Sequence, residues 1–134
     1  PHRLTFALER DFGMQSDQEP RRLVFKTLIE NALKYSPPNS PVAVELFLDV
    51  TNEREVAYFV VRNMVKMFHI PNLERIFERF YRDPSDTTTS GSGLGLFIVR
   101  ELCHLLRADV TCQLSGDLME FKISMPLGLE RGVV

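Results

Sequence analysis

The chain has 134 residues, 44% of them hydrophobic and 25% charged, with a formal net charge of -2. That is enough apolar material for one globular core, and the mild acidity excludes a general attraction to nucleic acid or to an anionic membrane surface. Two cysteines and three histidines without metal-ligand spacing exclude a disulfide framework and a histidine or cysteine zinc site.

Leu4-Thr5-Phe6-Ala7-Leu8 alternates weakly and predicts a strand, followed by a polar loop that ends at Pro20, a good helix opener. A first helix is expected from about Arg21 to Tyr35, because Val24, Phe25, Leu28, Ile29, Ala32 and Leu33 recur at helical spacing before Ser36-Pro37-Pro38-Asn39 stops them. Val42 to Val50 and Glu55 to Val61 are rich in β-formers and predict an antiparallel hairpin turning at Thr51-Asn52-Glu53-Arg54. Arg62 to Asn72 reads as irregular. A short helix is expected at Leu73 to Tyr81, carrying Ile76, Phe77 and Phe80 inward, and the Ser/Thr/Asp-rich stretch Asp83 to Ser92 reads as a mobile loop able to act as a lid. A second long helix is expected from Gly93 to about Leu106, with Cys103 on its buried face. Strands near Val110 to Leu114 and Leu118 to Met125, turning at Ser115-Gly116-Asp117, close the domain. The sum is an α+β two-layer sandwich over residues 1–134, a mixed, mostly antiparallel sheet with about three helices on one face. No stretch of about 18 apolar residues is present. With no signal-like start and Pro1 at its head, the chain reads as a soluble cytoplasmic fragment of a longer protein.

Three segments carry chemistry. On the first helix Thr27, Asn31, Lys34 and Tyr35 share a face distinct from the apolar stripe. Asn31 offers a carbonyl oxygen suited to a hard cation such as Mg²⁺, Lys34 a cation for phosphate, and Glu30 a carboxylate base. Phe77-Glu78-Arg79-Phe80-Tyr81-Arg82 brings two arginines whose planar forks match phosphate. Ser90-Gly91-Ser92-Gly93-Leu94-Gly95-Leu96 runs directly into an apolar helix, and such a junction lets backbone N–H groups approach an anion. It is neither a P-loop nor a dinucleotide-binding turn, since no Lys-Ser/Thr follows the glycines and no strand leads into a G-x-G-x-x-G. Each segment alone has a bland reading: a solvated helix face, a short core helix, a flexible connector. Their order along the chain points to a nucleotide site.

In that order the segments resemble the catalytic, ATP-binding domains of two-component sensor histidine kinases, of the GHKL (Bergerat-fold) superfamily that also holds gyrase and MutL. Leu28-Ile29-Glu30-Asn31-Ala32-Leu33-Lys34-Tyr35-Ser36 is similar to the N box, Arg75 to Arg82 to the F box, and Gly91-Ser92-Gly93-Leu94-Gly95-Leu96 to the G2 box. The resemblance implies that Asn31 coordinates Mg²⁺, Lys34 meets the phosphates of ATP, Tyr35 lines the pocket and Arg82 approaches the terminal phosphate. It also implies that Gly91, Gly93, Leu94, Gly95 and Leu96 hug the phosphates, and that Glu30 acts as a base on the acceptor histidine. The implied partners are a histidine-bearing dimerisation and phosphotransfer domain of the same protein, absent from this chain, and a downstream response regulator.

Two departures stand out. Thr27 occupies a position where many kinases carry asparagine and the hydrolysing relatives a catalytic glutamate, and a hydroxyl is a poor base for water. The G1 box, normally D-x-G-x-G-I, aligns with Asn63-Met64-Val65-Lys66-Met67-Phe68. Asn63 keeps a carbonyl oxygen able to accept from the adenine amino group, whereas Val65 and Met67 bring Cβ atoms where glycine allows a tight turn. A left-handed backbone there would cost each substitution about 1 kcal/mol. The alternative reading is a signalling module whose pocket Val65, Met67 and Phe68 have closed, keeping the fold for protein contacts.

Overall fold

The computed structural model describes residues 4–8, 19–66, 71–81 and 94–127. Its elements, in chain order, are β1 (Leu4–Leu8), α1 (Glu19–Tyr35), β2 (Val42–Thr51), β3 (Arg54–Met64), α2 (Gly95–Leu105), β4 (Asp109–Ser115) and β5 (Leu118–Pro126). The sheet runs in the order β1-β2-β3-β5-β4. β1 lies parallel to β2, the two being joined through α1, and every other pair is antiparallel. This is the mixed α+β sandwich expected from the residue pattern.

The layers follow from the alternation of the strands. Val42, Val44 and Leu46 on β2, Ala57, Phe59 and Val61 on β3, and Met119, Phe121, Ile123 and Met125 on β5 are buried on the helix side. Against them α1 lays Val24, Phe25, Leu28 and Ala32, and α2 lays Val99 and Cys103. Phe25 stacks on Phe59 with ring centroids 4.0 Å apart, which fixes the height of α1 over the sheet. On the opposite face Arg62 spans three strands, its Nη1 at 3.1 Å from Glu45 and its Nε at 2.9 Å from Glu120. Burial alone would lower the Arg62 pKa, and the hydrogen bonds and charges of both carboxylates outweigh it and raise the value.

The structure corrects three details. Residues 73–81 are not a helix, so two helices rather than three are seen among the described residues. Instead the segment folds as successive four-residue turns, with Arg75 N–H donating to Asn72 O, Glu78 N–H to Arg75 O and Tyr81 N–H to Glu78 O. Asn72 Oδ1 opens the run by accepting from Glu74 N–H, and Phe80, at φ 65°, ends it in the left-handed region. That reversal also turns Phe80 outward, 58% exposed, while Ile76 stays buried. Lastly, β3 runs on to Met64 where an irregular segment was expected, because Arg62 and Asn63 fit the alternation with polar side chains.

The two-residue β4–β5 turn places a glycine, Gly116, in the left-handed region, whereas the β2–β3 turn does without one. Asn52 and Glu53 sit at φ 52° and 64°, the signature of a type I′ turn, with Glu53 where glycine is favoured. Helix α2 ends likewise with Arg107 at φ 57°, its N–H bonded to His104 O while Ala108 N–H reaches Cys103 O. Glu53→Gly and Arg107→Gly are each expected to raise stability by about 0.5–1 kcal/mol, because glycine removes the left-handed strain. Urea unfolding of the single variants checks this, and a lowered midpoint in both would refute the strain.

Candidate functional site

The polar face of α1 lies beside the apolar stripe that anchors it, so the packing that buries Leu28 and Ala32 also sets the direction of Thr27 and Asn31. Thr27 and Asn31 are one turn apart and both half-buried, whereas Glu30, Lys34 and Tyr35 are exposed. The Lys34 ammonium rests 5.3 Å from the centre of the Tyr35 ring, which tethers the cation beside the end of α1.

Helix α2 meets that face at its first turn. A Cβ placed on Gly95 would find Thr27 Cγ2 at 3.5 Å, the one such neighbour among the described residues outside its own helix and chain neighbours. The N-box face and the G2-box glycine are thus brought together. Gly95 does not occupy the left-handed backbone region, so neither its φ nor its neighbours demand a glycine. The Leu94 side chain makes no cap hydrogen bond, and the first turn of α2 holds no acidic residue.

Asn63 sits at the far end of β3, 3% exposed. Its Nδ2 donates to Met64 O at 2.8 Å, while Oδ1 is buried with no hydrogen-bond partner among the described residues. An orphaned acceptor of this kind costs about 1–3 kcal/mol. Val65, in place of a family glycine, does not have a positive φ, and its N–H donates to Asp117 O at 2.8 Å. The chain therefore takes an extended path onto the β4–β5 turn rather than a strained glycine-like one. No sequence signal pointed to this bond, because its acceptor is a main-chain carbonyl.

The F-box segment is held between the sheet and α2. Phe77 packs edge-on against Phe121 with centroids 6.0 Å apart, and Asn72 N–H donates to the Tyr81 hydroxyl at 2.8 Å. The Arg79 guanidinium lies 4.9 Å from the Phe80 ring and 6.0 Å from that of Phe97, joining the F box to the first turns of α2. Arg82, Gly91 and Gly93, together with the expected lid, lie outside the described residues, as do Met67 and Phe68. Leu94 and Leu96 flank Gly95 and are half-buried.

The two-layer sandwich and the apposition of a polar helix face with a glycine-led helix N-terminus define a nucleotide-binding domain of the kinase and gyrase type. Residues 16–129 match the family described as histidine kinase-, DNA gyrase B-, and HSP90-like ATPase, and the chain belongs to that family. It is 32% identical over 123 residues to the probable sensor protein PcoS of Escherichia coli, covering 90% of this chain and 26% of that protein. It is 34% identical over 121 residues to the sensor protein VanSC of Enterococcus gallinarum, covering 89% of this chain and 32% of that one. Among solved structures, the mycobacterial sensor histidine kinase MprB shares the fold with a TM-score of 0.66 at 20% identity, over 92% of this chain and 83% of that one. The chain is thus a catalytic, ATP-binding domain of the sensor-kinase type, and it spans about a quarter to a third of the length of these two sensor relatives.

Neither thiol belongs to the site. Burial, and then the charge of Asp109, push the Cys103 thiol up to about 11, and burial pushes that of Cys112 up to about 12. Both are protonated at neutral pH and poor nucleophiles. The folded state retains protons that the unfolded chain releases from about pH 9, so this stabilisation is complete below pH 9 and is lost as pH rises towards 11 to 12. At pH 8 both thiols should react with Ellman's reagent at least about tenfold more slowly than free cysteine. Urea midpoints should fall more steeply above pH 9 in the native chain than in a Cys103→Ala/Cys112→Ala variant, and identical slopes would refute the assignment.

Proposed function

We propose that this chain binds Mg·ATP and transfers the γ-phosphoryl group to a histidine on a separate dimerisation and phosphotransfer domain of the same protein. The phosphoryl group then passes to a response regulator, and the whole exchange takes place on the cytoplasmic side of the membrane. We take residues 1–134 to be one catalytic unit of a longer sensor. No helix among the described residues is long and apolar enough to cross a membrane.

The observation that carries this reading is Gly95. Among the described residues a methyl group there would meet Thr27 Cγ2 at ordinary contact distance, so their packing does not require a missing side chain. Alanine would also suit a helix better by up to about 1 kcal/mol. A phosphate chain lying against α2 supplies a reason, because it needs the bare backbone and the N–H groups of the first turn. The donor set also fits magnesium, which takes few protein ligands and completes its shell with water and phosphate oxygen. Asn31 supplies one hard carbonyl oxygen, and among the described residues there is no cluster of three acidic, histidine or cysteine ligands that would form a dedicated metal cage.

In this scheme Asn31 holds the cation, and Lys34 and Arg82 neutralise phosphate charge from the two sides. Tyr35 walls the pocket beside Lys34, Asn63 meets the base, and Gly91, Gly93, Leu94, Gly95 and Leu96 form the phosphate cradle. Magnesium, when bound, offsets the negative charge that builds on the phosphate oxygens. An imidazole nitrogen of the acceptor attacks the γ-phosphorus, the bond to the bridging oxygen breaks, and ADP leaves with that electron pair. Glu30 takes the proton the imidazole gives up. Thr27 offers no base for water beside this path, which favours transfer over hydrolysis.

Gly95→Ala is expected to leave the unfolding midpoint unchanged or higher while weakening displacement of a fluorescent ATP analogue by about tenfold or more. Asn31→Ala should abolish the part of that affinity that magnesium adds. Native nucleotide affinity in both folded variants would overturn the proposed site.

A further inference from the structure

Strand β4 ends the sheet, and its outer side meets no other strand among the described residues. Sheet edges left unpaired are usually guarded by lysine, proline, a bulge or a very short strand. β4 has none of these. Its seven residues, Asp-Val-Thr-Cys-Gln-Leu-Ser, pair with β5 rung for rung from Asp109 to Ser115, and Asp109 at one end is its only charged residue. The helix-side cover also thins here. Met119, Phe121 and Ile123 of β5 are buried, whereas their β4 neighbours Leu114, Cys112 and Val110 are half-buried.

The residues of this edge are complementary to themselves. A second β4, related by a two-fold axis normal to the sheet, would lie antiparallel to the first and keep the helices of both copies on one side. Side chains alternate between faces, so a register is open only if it pairs residues of the same face. Centred on Cys112, the register uses the whole strand and sets Val110 opposite Leu114, and Thr111 opposite Gln113, of the second copy. Just beyond each end it brings Arg107 of one copy toward Asp117 of the other. Both residues are exposed, and neither makes an ion pair among the described residues. The bond from Val65 N–H to Asp117 O holds the turn that carries the acidic partner. Centred on Gln113 instead, the ladder shrinks to Thr111–Ser115 and sets Asp109 against Asp117, two like charges. Centred on Thr111, it shrinks to Asp109–Gln113 and sets Asp117 against Leu105. Length and charge both favour the Cys112 register.

We propose that the free edge of β4 is a homodimer interface, on which β4 of a second copy pairs antiparallel about Cys112 and Arg107–Asp117 ion pairs close both ends. Nothing in this interface depends on the nucleotide-binding reading, since Asn31, Lys34 and Gly95 take no part in it.

Sedimentation equilibrium of the 134-residue chain under reducing conditions tests it, with the native chain, Arg107→Asp, Asp117→Arg and an equimolar mixture of the two variants, and with the unfolding midpoint of each recorded. The native chain should pass from monomer to dimer below about 300 μM. Each variant alone sets like charges opposite at both ends and should dimerise about tenfold more weakly or worse. In the mixture each variant supplies the charge the other lacks, so dimerisation should return to within about threefold of the native chain, which also shows that both variants are folded. A native chain that stays monomeric to about 500 μM would overturn the interface. So would a dimer indifferent to both reversals, which would lie on another surface, and so would weakening that mixing does not restore, which would place the effect within each chain.

Discussion

Everything in this domain depends on α1 packing by one face and working by the adjacent one. The stack of Phe25 on Phe59 and the burial of Leu28 and Ala32 seat the helix on the sheet. Because side chains three and four residues apart share a face, that seating leaves no freedom in where Thr27 and Asn31 point. Helix α2 then has one place to begin, with Gly95 against the Thr27 methyl. The apolar stripe therefore also fixes how the polar face of α1 meets the first turn of α2.

The sheet plays the same part for the end of β3. Its registers carry β3 as a straight ladder up to Met64, and Arg62, bridging Glu45 and Glu120, ties three strands together one residue before Asn63. Half-buried ion pairs of this kind add only modest stability, since solvent still partly screens them. Their effect here is geometric, because they hold the outer face of the ladder while Asn63 enters the interior. At Val65 the loss of a glycine from the G1 segment is accommodated without left-handed strain, and its N–H bonds to the β4–β5 turn.

Much of this was legible in the residues. The stripe from Val24 to Leu33 and the alternation of β2 and β5 reported helix and strands because burial alone produces those periods. The three boxes reported the family because nucleotide chemistry demands particular residue types in a particular order. What stayed illegible has physical causes. Phe77 and Phe80 are three apart, which suits a helix, and nothing in a phenylalanine announces a left-handed φ. Arg62 and Asn63 hid the end of β3, since a buried asparagine breaks the apolar pattern that marks a strand. The bond from Val65 N–H to Asp117 O joins two main-chain groups 52 positions apart, and no side chain encodes it.

Calorimetric titration of the 134-residue chain with a non-hydrolysable ATP analogue, in magnesium and again in a chelator, tests the central claim most directly. The account predicts saturable one-to-one binding, with a dissociation constant between about 1 μM and 1 mM in magnesium and markedly weaker binding in the chelator. Absence of binding heat at millimolar nucleotide in magnesium, confirmed by an unshifted unfolding midpoint, would contradict it.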